Sequence, residues 1–329
     1  MAARRVTHRQ RLEDCLSGGQ LDRPPVALWR HFPVDDQDPD RLAAATVDFQ
    51  RAYDFDFVKV TPSSSFAVKD WGAVDEWRGA PEGTREYTYR VIQQPGDWER
   101  LPILDPKQGN LARQLDSLRL IVKELGPDNP VIQTVFSPLS QAKNLVGAGA
   151  LLVHLRRYPE AVHAGLKAIT ESTCRFIETA HETGMAGIFY AVQHAQYGLL
   201  SAEEFSIFGR AYDLPVLEQA EALWLNVLHL HGEQVMFDLL ADYPVQVINW
   251  HDRETPPSLA EARTGYRGVL CGGLRRWETM VLGTPSQVEE EAREAIHMTG
   301  GKGFILGTGC VLPTIAPRAN ILAARRSVE

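Results

Sequence analysis

The stretch that decides the fold begins Gly187-Ile-Phe-Tyr-Ala-Val-Gln193-His194, continues through a helical segment over 202–222, and ends Leu225-Asn-Val-Leu-His-Leu-His231-Gly232. Each apolar run is short and lacks strict polar alternation, as expected of a strand covered on both faces. Two such strands joined by a helix pair in parallel through a right-handed crossover. The same unit recurs in both directions along the chain. Strands are expected at 25–30, 56–61, 130–136, 187–193, 225–231, 245–250, 268–272 and 303–307. Helices are expected at 39–53, 109–125, 160–182, 202–222, 233–241, 258–264 and 285–298, with one before the first strand (7–17) and one after the last (317–327). Eight units fit an α/β fold of one kind, a single (β/α)8 TIM barrel with an N-terminal helix. A doubly wound open sheet competes, but the first strand-to-helix turn has no G-x-G-x-x-G.

Local signals sharpen this reading. Ser201 followed by Glu204 has the spacing of a capping box, and Gly184 stands where helix 160–182 should stop. Pro159 opens that helix and cannot lie inside it, so 149–158 reads as a separate helix. Residues 68–101, with DWGAVDEW and EYTYRVIQQ, read as a hairpin excursion after the second strand. Without repeats, low-complexity tracts or linkers, residues 1–329 form one expected domain.

Composition narrows the function classes. The chain has 329 residues, of which 44% are hydrophobic and 23% charged, which excludes disorder and collagen-like repeats. A net charge of −8 argues against a general nucleic-acid binder, whose footprint is a basic face. The N-terminal sequence lacks the apolar core of a secretory signal, and the longest apolar stretch, 145–155, contains His154 and falls short of a membrane span. Four cysteines do not make a disulfide framework in a chain this long. The expectation is a cytoplasmic protein with free thiols, taking a small-molecule substrate, with neither nucleic acid nor membrane as partner. A homo-oligomer is compatible with this class, and the sequence carries no signature of it.

Barrel active sites lie at the C-terminal ends of the strands. Those ends carry Arg30 and His31; Thr61 with Ser63, Ser64 and Ser65; Phe136 and Ser137; Gln193 and His194; His229 and His231; His251 and Asp252; Cys271; and Cys310. Five of the ten histidines fall there, where a chain using histidine as filler would scatter them. His229 and His231 are alternate residues of one strand and face the same side. Two imidazoles and the Cys310 thiolate would suit Zn2+ and leave a fourth position open for a reacting group. H-x-H is a common tripeptide, so polar pocket lining is the competing reading. His194 is a candidate acid–base group, with a backbone-bonded structural histidine as the alternative. His251-Asp252 offers an orienting carboxylate or a fourth ligand, and Cys271 an alternative ligand. Arg30, His31 and Gln193 are the candidate substrate contacts. Gly307-Thr-Gly309 lets backbone pass close to the site, and Cys15 and Cys174 read as filler.

Beyond single residues, four blocks resemble the uroporphyrinogen decarboxylase superfamily. They are Arg9-Gln-Arg-Leu-Glu-Asp through Asp22-Arg-Pro-Pro-Val26, Val135-Phe-Ser-Pro-Leu-Ser-Gln-Ala, Leu-His229-Leu-His231-Gly, and Gly303-Phe-Ile-Leu-Gly-Thr-Gly-Cys310-Val-Leu-Pro-Thr-Ile-Ala-Pro317. Leu282-Gly-Thr-Pro285-Ser-Gln-Val stands in family order as well. The resemblance covers nearly the whole chain and implies a (β/α)8 barrel.

Two chemistries follow from that resemblance. Decarboxylases of the family carry M-R-Q-A-G-R-Y, F-S-D-I and G-H-G blocks. Here Leu28-Trp-Arg30-His31-Phe keeps one arginine, Thr61-Pro-Ser-Ser-Ser-Phe has no aspartate, and Cys310 stands in place of the histidine. The other branch consists of zinc-dependent, corrinoid-linked methyltransferases with H-x-C after the fifth strand and a cysteine after the eighth. Similarity to that branch implies metal ligands at His229, His231 (in place of the first cysteine) and Cys310. It also implies a corrinoid (cobalamin) methyl carrier and a corrinoid protein as partner. A zinc-dependent methyltransferase, with His194 or His251 managing protons, is therefore the leading expectation. A carboxy-lyase acting on a porphyrinogen or smaller carboxylate is the runner-up, and a non-catalytic barrel binding a ligand or corrinoid protein is the third reading.

Overall fold

The computed structural model describes residues 6–329. Seven strands form one parallel sheet, in the order β1 (Val58–Val60), β4 (Val131–Phe136), β5 (Gly187–Val192), β6 (Val227–Leu230), β7 (Val247–Trp250), β8 (Val269–Leu274) and β9 (Phe304–Thr308). Between the first two in sequence lie β2 (Val74–Glu76) and β3 (Glu86–Tyr89), an antiparallel pair within the segment expected as an excursion.

The segment expected as the first strand, 25–30, is not a continuous ladder strand. It forms isolated parallel bridges, Val26 to Leu306 and Arg30 to Leu312. Ala27 N–H donates to the Leu306 carbonyl, Leu306 N–H to Pro25, and Asp56 N–H to Val26, so the segment bonds toward both outer strands of the sheet. Pro24 and Pro25 have no N–H to give, which thins the ladder at its start.

Most helices match their periodicity, and the departures have local causes. The expected helix 202–222 is instead a short helix Ala202–Phe205, a π-helical turn Ser206–Arg210 and a helix Ala211–Gln219 containing Pro215. Proline cannot donate to the preceding turn, and a π turn shifts the hydrogen-bond register. The expected 233–241 shrinks to Phe237–Leu240. A helix at Pro138–Val146 was not expected, although Ser137 caps it and Pro138 occupies its first turn. Among the described residues, no helix is long and apolar enough to cross a membrane.

Period-two alternation along the strands builds the interior in two tiers. Trp29, Phe57, Phe189, Val227, Val247 and Ile305 share one apolar cluster with Leu12 and Cys15 of the N-terminal helix His8–Ser17. Two residues further along each strand, the same inward face carries His31, Lys59, Ala191, His229, Asn249 and Gly307. Across the upper tier lies the loop joining β2 to β3. Its Gly83 has φ +79°, and a Cβ there would come within 2.4 Å of the His31 side chain. Thr314 N–H and Oγ1–H both donate to the Pro81 carbonyl, tying the loop to the chain after β9.

Asp56 ties the opposite end together. It is fully buried and accepts from Arg11, Arg23, His8 and the Val26 N–H. Burial pushes its carboxyl up, but His8 and Arg23 outweigh that and hold it well below the usual range. Its contribution is therefore complete at neutral pH and is lost as acid takes the solution below the ordinary carboxylate value of ~3.9. Asp56→Ala leaves Arg23 and the Val26 N–H buried without this acceptor, and should cost about 3–5 kcal/mol of unfolding free energy by denaturant titration. A loss under about 1 kcal/mol would remove this network from the account of stability.

Candidate metal centre

Four side chains from the ends of β6, β7 and β9 meet above the upper tier. His229 lies in β6, His231 just beyond it, His251 just after β7, and Cys310 two residues past β9. One ligand atom from each lies within 4.8 Å of all the others, with Cys310 Sγ 3.7 Å from His231 Nδ1. Donors around one ion with bonds of ~2.0–2.3 Å stand at most ~4.6 Å apart, so small side-chain adjustments bring all four within its reach. The approach depends on Gly309: a Cβ there would sit 2.7 Å from His251 Cα and 2.8 Å from the Trp250 carbonyl.

Two of the imidazoles are held in one orientation. His229 and Asn249 are in register across β6 and β7, and His229 Nδ1 lies 2.7 Å from Asn249 Oδ1. Asn249 Nδ2 donates to the carbonyls of Cys271 and Thr308, which settles which end of the amide faces the ring. His229 Nδ1 must then carry the proton, leaving the Nε2 lone pair free. His251 Nδ1 lies 3.0 Å from Glu254 Oε2, which likewise turns its Nε2 toward the centre. Both Nε2 atoms are buried without a hydrogen-bond partner, an arrangement that costs free energy unless a bound group pairs with them.

Charge is concentrated here too. Burial pushes the Cys310 thiol up, but His229, His231 and His251 together bring it well below its ordinary value. For His251, burial lowers the pKa while Cys310 and Glu254 raise it, to a net value of about 9. Burial depresses His229.

A cleft of about 90 Å3, partly open to solvent, adjoins the cluster. His31, Gln193, His229, His231 and Cys310 line it, and Glu82 and Thr84 of the β2–β3 loop contribute to its wall. His31 is buried against the Pro62 carbonyl, and burial lowers its pKa to about 4.

Several expected residues lie elsewhere. Arg30 alternates with Trp29 and His31; its guanidinium lies over Phe32 and Phe49 and donates to the Thr314 carbonyl, and it does not line the cleft. His194 follows Gln193 on the opposite face. Burial holds it at about 3, below the useful range of a base at neutral pH, and it does not line the cleft either. Asp252 accepts from the Gly273 N–H, so Glu254 orients His251 in its place. Cys271 is buried in the lower apolar cluster, outside the four-residue group. Ser64 lines the cleft, and Ser65 bonds Asp75.

Sequence reasoning missed Asn249, Glu254 and Lys59. Each left a signal: a polar residue inside the buried run Val-Ile-Asn-Trp, a carboxylate three residues past His251, and a lysine inside Phe-Val-Lys-Val. Lys59 lines the same cleft, with burial pushing its pKa down to about 7.

Comparison with known proteins adds lineage. The chain is 22% identical over 236 residues to methylcobamide:CoM methyltransferase MtbA of Methanosarcina acetivorans, covering 70% of this chain and 67% of that one. It is 24% identical over 328 residues to uroporphyrinogen decarboxylase of Tolumonas auensis, covering 90% of each. A solved structure, a methyltransferase from Methanosarcina mazei, superposes with TM-score 0.85 over 98% of both chains at 19% identity, which shows a common fold. The uroporphyrinogen decarboxylase (URO-D) family model matches residues 7–329. With almost the entire chain matched, the protein belongs to the uroporphyrinogen decarboxylase (URO-D) family.

Proposed function

We propose that this protein is a zinc-dependent methyltransferase, exchanging a methyl group between a corrinoid and a small thiol or hydroxyl compound, with a corrinoid protein as partner. The observation that carries the reading is the pair of buried, oriented and partnerless Nε2 atoms of His229 and His251 beside Cys310 and His231. The relatives named as methylcobamide:CoM methyltransferases supply the corrinoid chemistry. We further take residues 25–30 as the eighth member of a closed barrel, because they hydrogen-bond toward both outer strands.

The donor set fits the metal. Asn249 and Glu254 accept the Nδ1 protons of His229 and His251, so both Nε2 atoms face the centre without ring rotation, and a metal there would displace the second proton that Cys310 and Glu254 favour on His251. His251 thus joins His229, His231 and Cys310 as a ligand, in place of a proton-handling role. Zinc held by His229, His251 and Cys310, with His231 as a displaceable fourth donor, would keep a net positive charge and, with His231 displaced, polarise a thiol or hydroxyl presented from the cleft. His31 and Gln193 face that cleft and contact substrate, and the β2–β3 loop shields it from water.

Protein purified without added metal or chelator should contain about one zinc per chain by elemental analysis. His229→Ala and Cys310→Ala should lose it. Asn249→Ala should keep the site but bind roughly 10–100-fold more weakly in chelator competition, because the imidazole loses its orienting acceptor. His231, whose Nδ1 faces only Cys310, should be the least costly of the three histidines to replace. Zinc-loaded protein should then demethylate methylcobalamin in the presence of a thiol, read from the corrinoid spectrum. No metal even after zinc is offered would overturn the reading. Zinc binding without methyl exchange, beside turnover of a porphyrinogen, would favour the decarboxylase branch.

A further inference from the structure

Two consecutive arginines just past β8 take different partners. Arg275 bonds Glu291 through both its backbone N–H and its guanidinium. Arg276 turns into the fold, where it is 6% exposed. Its Nη1–H donates to Glu82 Oε1 at 2.7 Å, in the loop 77–85 that joins β2 to β3 over the cleft. The same Nη1 stands 3.5 Å from the carbonyl of Val311, the residue after Cys310. Its Nε–H is buried without an acceptor, and Glu254 Oε1 stands 3.7 Å from that nitrogen. The other oxygen of the Glu254 carboxylate accepts from His251 Nδ1 at 3.0 Å.

A buried N–H left unbonded costs free energy, and a charge-assisted bond to a carboxylate would recover it. A shift of about 1 Å would close the bond from Nε to Glu254. Glu82 opposes that shift, because it fixes one end of a rigid planar fork of donors. We propose that Arg276 is a positioning residue that couples closure of the β2–β3 loop to the orientation of His251. With Glu82 seated, the guanidinium is held off Glu254, and that carboxylate serves the imidazole alone. When Glu82 leaves, the guanidinium turns onto Glu254 and draws it from His251. The effect on a bound metal rests on the function proposed above, whereas the coupling between the loop and Glu254 does not.

The loop is built for such a step. Arg85 at its base is ion-paired with Asp75 of β2, which keeps the two strands together. Its tip carries Gly79 at φ +83° and Gly83 at φ +79°, positions that absorb a backbone change at little cost. Besides Glu82, the tip is tied by Thr314 to the Pro81 carbonyl. Two carboxylates competing for one buried guanidinium make the coupling reciprocal. Closure secures His251, and a metal that fixes His251 and Glu254 leaves Arg276 to Glu82 and so favours closure.

The test joins two measurements on the full chain: amide hydrogen exchange of residues 77–85, metal-free and zinc-loaded, and zinc affinity by chelator competition. Glu82→Gln should speed exchange in the loop and weaken zinc roughly 5-fold or more, although Glu82 is no ligand. Zinc should slow exchange in the wild-type loop. Glu254→Gln removes the competing charge, so it should slow loop exchange even in metal-free protein. In an Arg276→Met background, Glu82→Gln should change zinc affinity by less than about twofold, and zinc should no longer alter the loop. An unchanged zinc affinity in Glu82→Gln, an effect that survives Arg276→Met, or a metal-free loop indifferent to Glu254→Gln would each overturn the coupling. Should Arg276→Met fail to fold, the two glutamate variants still decide. A chain that never takes up zinc, but whose loop slows in Glu254→Gln, would keep the coupling and overturn the function. Zinc uptake indifferent to Glu82 would overturn the coupling alone.

Discussion

Each side chain of a parallel strand points opposite to its neighbours, and this alternation organises the molecule. Val227, His229 and His231 share one side, as do Val247, Asn249 and His251, and as do Phe57, Lys59 and Thr61. The first of each set packs into the lower apolar cluster and so sets how deep the strand sits. The later members are then carried to the cleft in register, and His229 meets Asn249 because β6 and β7 pair residue for residue there. A one-residue slip in either strand would turn the whole set outward.

The two ends of the interior treat buried polarity in opposite ways. At the lower end Asp56 is surrounded by Arg11, Arg23, His8 and a backbone N–H, so its charge is satisfied within the fold. At the upper end His229, His251, Trp29 and Gln193 each keep a buried atom without a partner, and Lys59 has no counter-ion. Such groups are destabilising in isolation and persist where the rest of the core supplies a margin. That asymmetry separates the end that stabilises from the end that binds. The β2–β3 loop reinforces it by covering the unsatisfied end, with Glu82 anchored to Arg276.

Arg276 also lies 3.7 Å from Glu254, the residue that orients His251. The loop above the cleft and the support beneath one candidate ligand thus share a buried guanidinium. His229 has an equivalent support in Asn249, whose amide spans the carbonyls of two further strands. Four strands in all therefore hold the orientation of these rings, which limits how far any one imidazole can turn.

Much of the fold and part of the site were legible in the sequence. Apolar runs located the seven ladder strands to within a few residues, because burial on both faces demands continuous hydrophobicity. The pattern H-x-H and the distant Cys310 pointed to three of the four clustered side chains, because strand alternation is a local rule. What local rules do not contain is which strand ends become neighbours and which way a loop turns. His251 reads as half of a His-Asp pair until β7 brings it beside His231; Asp252 then turns to Gly273 while Glu254 takes the imidazole. Arg30 reads as a substrate contact until its position between Trp29 and His31 sends it onto Phe32 and Phe49. Local pattern was enough to place the seven ladder strands, their order of appearance and the chemistry available at their ends. Which of those groups share a cleft and which are left without partners depends on contacts between residues far apart in the chain, and so emerges only on folding.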